Sequence, residues 1–197
     1  MERFRNTGQP DWDWWSRLWP TPGETLRRLG VSEGVTVAEI GCGNGYFAVP
    51  AAEIAAPGTV YALDIDGALL DDCERIADRQ GIDNLVTIQG DARELSDELT
   101  ERVDALLIAN TFHGVDDQSG LVQQIHDALR PGGRLAVLNW HDRPREETTV
   151  AGEPRGPPTE LRLSPEETVR IVREASPFDL DRQVEFPPYH YAVTFTR

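Results

Sequence analysis

The feature that most constrains the fold is a regular alternation of short apolar runs with amphipathic segments along the middle of the chain. Five runs rich in β-branched residues predict strands, and the segments between them predict helices. Strands that alternate with helices are joined by right-handed crossovers and lie parallel in one sheet. The predicted strands are residues 35–40, 59–64, 85–89, 103–109 and 134–140, and the predicted helices are about residues 46–56, 68–79, 93–99 and 117–129.

The chain after the fifth predicted strand has a different character. Residues 142–160 are charged and rich in proline, which predicts a long loop. Ser164 as an N-cap, with Glu167 three residues later, predicts a helix of about three turns. Two further runs, residues 180–186 and 189–196, flank a pair of prolines and predict an antiparallel hairpin. The sequence therefore predicts an α/β fold with a doubly wound, mostly parallel seven-stranded sheet.

Tryptophans are concentrated before the alternating region. Trp12, Trp15 and Trp19 have the i, i+3, i+7 spacing of one helical face. Such a face is consistent with two roles, a lid over a ligand site or ordinary packing against the core. Both interpretations stay open from the sequence.

A second short helix is predicted to follow these tryptophans. It begins at Thr21-Pro22, and Gly30 is its predicted C-cap. We therefore predict an N-terminal helical cap of residues 1–30, followed by a ligand-binding domain of residues 31–197.

The charge of the chain is unusual. There are 34 acidic residues against 19 basic ones, every basic residue is Arg, and the formal net charge is −15. Such a charge repels a phosphate backbone and disfavours a nucleic acid as the substrate. A Lys-free, acidic surface is also typical of proteins from the salt-loaded cytoplasm of halophiles, where the charge maintains solubility. We favour the halophilic explanation, under which charge argues only weakly about partners.

Cysteine content and hydropathy disfavour several classes of protein. Cys42 and Cys73 are too few for a disulfide framework, and no Cys-x-x-Cys or close His pair suggests a metal site. No apolar stretch approaches the ~18 residues of a membrane helix. The N-terminus lacks the apolar block of a signal peptide. We therefore expect a cytoplasmic protein with no metal and no membrane association.

The first predicted strand ends in a glycine-rich loop, Gly41-Cys42-Gly43-Asn44-Gly45. Glycines here let the backbone turn tightly between strand and helix and approach a ligand closely. A dinucleotide-binding loop has the spacing G-x-G-x-x-G, and its third glycine would stand at Tyr46. The observed spacing therefore disfavours an NAD-linked oxidoreductase, which is kept as a weaker alternative.

Polar residues follow the second, third and fourth predicted strands. Asp64 ends the second strand, where nucleotide-binding α/β folds use a carboxylate to accept ribose hydroxyls. Asp66 is its nearest rival, and Ile65 is expected to lie against the base of the ligand. Gly90-Asp91-Ala92 follows the third strand and Asn110 the fourth. Ligands of open α/β sheets bind outside the carboxyl ends of the strands, so these residues are predicted to share one site.

Together with the turn Leu129-Arg130-Pro131-Gly132-Gly133-Arg134, these segments occur in the order and spacing of one family. Over residues 30–141 the chain resembles the class I S-adenosylmethionine-dependent methyltransferases, especially the small ubiquinone/menaquinone-type branch. The resemblance implies a Rossmann-like fold, S-adenosyl-L-methionine as the cofactor, and methyl transfer as the activity.

The resemblance also assigns contacts to the cofactor. The family has an acidic residue two positions before the first glycine, here Glu39, and its glycine loop wraps the methionine and ribose. An acidic residue such as Asp91 takes the adenine amine, and the backbone near Asn110 holds the ammonium. The implied cofactor-binding residues are Glu39, Gly41, Cys42, Gly43, Asn44, Gly45, Asp64, Ile65, Gly90, Asp91, Ala92 and Asn110.

The transferable methyl is expected to face the ends of the fourth and fifth strands. Methyl transfer needs alignment, a dry site and, for a protic nucleophile, a base. His113 and His141 follow these two strands and are the candidate bases, with a structural role as the alternative for each. The candidate pocket for a small-molecule acceptor consists of Trp15, Trp19, Phe112, Trp140, Tyr189 and His190.

Two further considerations bear on the activity. The segment Asn110-Thr111-Phe112-His113 lacks the prolines found at this point in amino-methylating DNA enzymes, which disfavours that substrate class. A non-catalytic, adenosylmethionine-binding regulatory protein stays an alternative, because methyltransferases share no universal catalytic residue.

Overall fold

A seven-stranded sheet forms the centre of the computed structural model, which describes residues 2–197. Its strand order is β3-β2-β1-β4-β5-β9-β8, and β6 and β7 form a separate ribbon. The first five strands are parallel, whereas β9 and β8 are antiparallel. The predicted fold class is confirmed. The strands are β1 (Val37–Ile40), β2 (Val60–Asp64), β3 (Leu85–Gln89), β4 (Val103–Ala109), β5 (Leu129–Trp140), β6 (Thr149–Val150), β7 (Glu153–Pro154), β8 (Asp179–Phe186) and β9 (His190–Thr196).

Helices cover both faces of this sheet. Side chains alternate between the faces of a strand, so Ala105 and Leu107 of β4 pack in one core and Leu106 and Ile108 in the other. Burial on both faces explains why β4 is apolar at nearly every position. The first core is covered by α1 (Trp12–Leu18), α2 (Pro22–Arg28), α3 (Ala48–Ala55) and α4 (Gly67–Gln80), and the second by α5 (Leu95–Glu98), α6 (Gln118–Ala128) and α7 (Pro165–Ala175).

The fifth strand differs from its prediction. The sequence predicted a turn over residues 129–134, whereas β5 begins at Leu129 and pairs there with Val103. The register then shifts, so that Arg134 lies opposite Ala105. Gly132, with a φ of +77°, lets the intervening residues bulge out of the ladder. The turn is therefore an interruption within the strand.

The N-terminal tryptophans do not all face the core. Trp15 and Trp19 are buried, although α1 ends one residue before Trp19. Trp12 is 45% exposed and packs edge-on against Tyr46, with 4.9 Å between ring centroids. The i, i+3, i+7 spacing therefore does not give the three tryptophans one environment, because Trp12 lies exposed at the start of the helix.

The C-terminal segments follow their predictions more closely. Ser164 and Glu167 form the predicted capping box, with Glu167 N donating to Ser164 Oγ at 3.1 Å and Ser164 N donating to Glu167 Oε2 at 2.8 Å. Residues 142–160 are not wholly irregular, because they contain the ribbon β6–β7. Among residues 2–197 no helix has the length and apolar character needed to span a bilayer.

Candidate functional site

The candidate site lies where the carboxyl ends of the parallel strands meet, on either side of the reversal of strand order between β1 and β4. Two adjoining cavities occupy this edge, a narrow one of about 410 Å³ and a wide one of about 1110 Å³. Gly41, Asp64 and Thr111 line both. The cavities are therefore two compartments of one site.

The glycine loop after β1 forms the boundary between these compartments. Gly41 has a φ of +69°, and a Cβ there would lie 2.7 Å from Thr111 Oγ1. Gly43 has a φ of +55°, and a Cβ there would collide with the Gln9 side chain. Backbone conformation favours glycine at both positions, and at Gly41 the nearby Thr111 side chain also leaves no space for a Cβ.

Asp64 and Asp66 have different surroundings. Asp64 is 9% exposed and accepts hydrogen bonds from Gly43 N at 2.8 Å and Asp66 N at 3.0 Å. Asp66 caps α4 by accepting from Ala68 N, and its carboxylate pairs with Arg3 at 2.6 Å. The hydrogen bond from Arg3 lowers the pKa of Asp66. Asp64 is thus held rigidly in the cavity wall, whereas Asp66 has a structural role.

Unpaired polar groups line the wide cavity beside Asp64. Glu39 is buried within β1, and its Oε2 has no hydrogen-bond partner. Burial raises the pKa of Glu39 well above its ordinary value, and the nearby charge of Asp64 raises it further. The Asn110 amide is also buried and unpaired, on a backbone with a φ of +54°. Since unsatisfied buried polar groups are costly, this wall is suited to a polar, positively charged ligand group.

The narrow cavity has a different chemistry. Ile40, Leu63 and Ile65 provide an apolar wall, and Gly90-Asp91-Ala92 provides a polar edge. Asp91 is oriented by Arg93, whose backbone N–H and guanidinium both donate to its carboxylate. An apolar slot with hydrogen-bonding groups along one edge fits a planar heterocycle.

An N-terminal segment of residues 2–10, here called the N-terminal strap, lies across both cavities. Arg5 N donates to Gly114 O at 3.0 Å, next to the end of β4. Gln9 and Asn44 exchange two hydrogen bonds of 3.2 Å, which joins the strap to the glycine loop. Sequence reasoning missed this element, because an extended segment held by side-chain contacts has no periodic pattern.

The wide cavity has an aromatic wall. Of the predicted pocket residues, Trp15 and Trp140 line it, and Trp14 and Tyr46 are lining residues that sequence reasoning missed. No periodic position marked Trp14, because it lies off the predicted helical face. Arg155 also lines this cavity.

The structure does not bring the other predicted pocket residues to the cavity. Trp19 and His190 lie behind its wall, where His190 is 4.2 Å from the Trp140 ring centroid. Tyr189 stacks on Trp140 and donates its hydroxyl to Thr149 O. Phe112 is fully buried in the core on the opposite face of the sheet. These four side chains support the site without lining it.

The two candidate bases also separate in space. His113 lines the wide cavity, with Nε2 3.3 Å from Asn6 O and Nδ1 buried without a partner. Burial lowers the pKa of His113 to about 4, and the positive charge of Arg162 acts in the same direction. His141 lines neither cavity and instead contacts Glu185, with Nε2 2.8 Å from Oε2. Only His113 of this pair is placed to act on a bound ligand.

Comparison with known proteins gives a consistent answer. The family model for the methyltransferase domain matches residues 31–158. A demethylmenaquinone methyltransferase of Geobacillus kaustophilus is 28% identical over 58% of this chain and 49% of its own length. A tRNA 5-carboxymethoxyuridine methyltransferase of Escherichia coli is 27% identical over 63% of this chain and 47% of its own length. The chain therefore spans about half the length of these curated relatives.

A solved structure extends the likeness to nearly the whole chain. An S-adenosylmethionine-dependent methyltransferase from Aquifex aeolicus superimposes with a TM-score of 0.78 over 92% of both chains, at 24% sequence identity. With the family match over well over half of its length and the glycine loop, Asp64 and Asp91 around one ligand site, the chain belongs to the class I S-adenosylmethionine-dependent methyltransferases.

Proposed function

We propose that this protein transfers a methyl group from S-adenosyl-L-methionine to a small-molecule acceptor bound in the wide cavity. The observation that carries the proposal is the set of unpaired buried groups of Glu39 and Asn110 beside Asp64. Their acidic and polar character matches the ammonium and sulfonium groups of this cofactor. The adjoining aromatic wall then supplies a separate place for an acceptor.

The residues present fit the cofactor along its length. Gly90-Asp91-Ala92 and Ile65 would hold the adenine in the narrow cavity, and Asp64 would accept the ribose hydroxyls. Glu39, Asn110 and the glycine loop would hold the methionine portion. When bound, the cofactor supplies an electrophilic methyl group on sulfur.

The protein's own contribution is mainly alignment and exclusion of water. The N-terminal strap covers both compartments, and the aromatic wall keeps the acceptor side dry. For a protic acceptor, His113 would take the proton at Nδ1, because Nε2–H donates to Asn6 O in that tautomer. A histidine with its pKa near 4 is a weak base, so it suits an acidic nucleophile best.

A small molecule is favoured over a nucleic acid on two grounds. The net charge of −15 opposes approach of a phosphate backbone, and the strap lies across both cavities. The relatives' names include both classes, a demethylmenaquinone enzyme and a tRNA enzyme. The cytoplasmic location and the halophilic origin inferred from composition stay predictions.

Calorimetry on the purified chain tests the first step of the proposal. We expect S-adenosylmethionine and S-adenosylhomocysteine to bind in the micromolar range, at roughly −7 to −9 kcal/mol. NAD, which needs a different loop spacing, should not bind. Binding of NAD, or failure of both adenosyl ligands at low and high salt, would contradict the proposal.

Turnover then separates a methyltransferase from a non-catalytic binder. The protein is incubated with radiolabelled S-adenosylmethionine and fractionated metabolite extract, and labelled products are identified by mass spectrometry. Transfer of label to a small molecule supports the enzyme. Binding without transfer to any fraction would favour the regulatory alternative.

A further inference from the structure

An unpaired guanidinium stands in the aromatic part of the wide cavity. Arg155 lines this cavity, with its guanidinium carbon 5.1 Å from the centroid of the Trp14 ring. Its Nε is buried without a hydrogen-bond partner, and no ion pair links Arg155 to any carboxylate among residues 2–197. Unlike the exposed Arg143 of the same segment, Arg155 thus places an unpaired cationic group in the wall of a cavity.

The loop that carries Arg155 is held in place by a second, buried Arg. Arg162 is 6% exposed and donates to Pro157 O at 3.0 Å, to Arg155 O at 3.1 Å and to Thr148 Oγ1 at 2.9 Å. Gly156, with a φ of +86°, lies so close to Trp140 that a Cβ would be 2.7 Å from its ring. These contacts hold the backbone of the loop and therefore fix the position of Arg155.

Charged groups of both signs line the wide cavity. Arg155 lies at the aromatic end, and the charge of nearby Arg162 lowers the pKa of His113. Glu39 and Asp64 belong to the end formed by the glycine loop, and Asp11 is an exposed residue of the rim. Glu39 and Asp64 therefore suit a cationic donor, and Arg155 suits an anionic group on the acceptor.

We propose that the aromatic end of the wide cavity binds an aromatic acid, with its carboxylate on Arg155 and its ring against Trp14 and Trp15. This inference rests on the proposed function, because it names the class of the acceptor. A guanidinium forms two parallel hydrogen bonds with a carboxylate, and it keeps its charge at any working pH. The rings of Trp14 and Trp15 pack edge to face, with 5.5 Å between their centroids. They therefore offer an aromatic ligand two ring orientations to pack against.

Calorimetry with matched probes tests this proposal on protein saturated with S-adenosylhomocysteine. Naphthoate and naphthamide differ in charge, and cyclohexanecarboxylate keeps the charge without an aromatic ring. We expect naphthoate to bind in the millimolar range or tighter, and both other probes to bind at least about 10-fold more weakly. Arg155→Gln should weaken naphthoate binding by about 10-fold or more, and Arg155→Lys should have an intermediate effect. Arg143→Gln, on an exposed residue of the same segment, is the matched control and should have no effect.

Three results would overturn the proposal. They are absence of naphthoate binding, equal binding of the acid and the amide, and equal binding to the parent and to Arg155→Gln. A loss of S-adenosylhomocysteine affinity in Arg155→Gln would also overturn it, since Arg155 would then hold the cofactor's carboxylate. If the parent bound no S-adenosylhomocysteine, the proposed function would fail, and the probe series on the free protein would still report on Arg155. Thermal unfolding of each variant checks that it is folded.

Discussion

Two carboxylates at the end of β2 illustrate how single residues acquire different roles. Both Asp64 and Asp66 are within reach of a bound ribose on the basis of sequence. In the structure, the carboxylate of Asp66 accepts a hydrogen bond at the N-terminus of α4 and pairs with Arg3. The carboxylate of Asp64 instead accepts a hydrogen bond from the glycine loop, and Asp64 lines both cavities. The neighbouring hydrogen bonds, and not sequence position alone, favour Asp64 as the ribose ligand.

Asp64→Asn should weaken binding of S-adenosylhomocysteine by about 1.5–3 kcal/mol, the range for hydrogen bonds to a charged group. Asp66→Asn is the matched control and should change this affinity much less. Because the ion pair of Asp66 with Arg3 lies at the surface, the control is expected to change stability only slightly. Calorimetry measures the affinity of both variants. A larger loss of affinity in Asp66→Asn would mean that the ribose lies against Asp66.

His113→Gln should lower turnover about 100-fold with an acceptor that must lose a proton. Affinity for S-adenosylhomocysteine should stay within about 2-fold of the parent, because the cofactor wall is unchanged. His141→Gln is the control, since His141 contacts Glu185 and lines neither cavity. Equal turnover of the three proteins would show that alignment alone drives the reaction.

At the scale of elements, local patterns and long-range contacts differ in how far the sequence predicts them. The strands at residues 85–89 and 103–109 have their predicted bounds, because the pattern that predicts a strand depends only on the residues of that strand. The same holds for the capping box of α7. These features need no knowledge of the rest of the chain.

The site was predictable only where it depends on such local patterns. The glycine loop and the polar residues after β2, β3 and β4 were identified, and the structure places most of them around two adjoining cavities, although Asn44 and Gly45 line neither. Arg155 was missed, because its position depends on Arg162 and on the side chain of Trp140. The strap was missed for the same reason, since its partners Asn44 and Gly114 are distant in sequence.

Removal of residues 2–9 tests the strap as an element. It should weaken S-adenosylhomocysteine binding by about 10-fold, or about 1.4 kcal/mol. The reason is that the segment covering both cavities and the Gln9–Asn44 hydrogen bonds are lost. The single variant Gln9→Ala should have a smaller effect in the same direction. Circular dichroism should show that the sheet and helices remain. Unchanged affinity of the shortened chain would assign the strap no part in binding.

At the scale of the whole molecule, burial of neutral histidines links stability to pH. Burial lowers the pKa of His113 to about 4, below the value of about 6.5 expected for the unfolded chain. The unfolded state therefore takes up a proton first as the pH falls. This contribution to stability is fully present above about pH 6.5 and is lost progressively toward about pH 4. Burial lowers the pKa of His190 as well, so it acts in the same direction.

We expect the free energy of unfolding of the parent to fall between about pH 7.5 and about pH 5.5, with His113 contributing about 1 kcal/mol of the loss. The free energy of unfolding of His113→Gln should fall correspondingly less over this pH range, whereas His190 contributes equally to the fall in both proteins. Urea unfolding at the two pH values provides the measurement. Parallel pH dependences would show that His113 is already solvated in the folded state.

The two outer strands of the sheet have unequal consequences for association between molecules. β8 carries Asp179, Asp181, Arg182 and Glu185, and charges of this kind discourage a foreign strand from joining its edge. β3 has the sequence Leu-Val-Thr-Ile-Gln without a charge, and its Val86 is 43% exposed. Acidic residues near this edge, such as Asp83 and Glu74, which accepts a hydrogen bond from Thr87, keep neighbouring copies apart there. As the carboxylates of the surface lose their charge in acid, the β3 edge is where fibrous or amorphous self-assembly would begin.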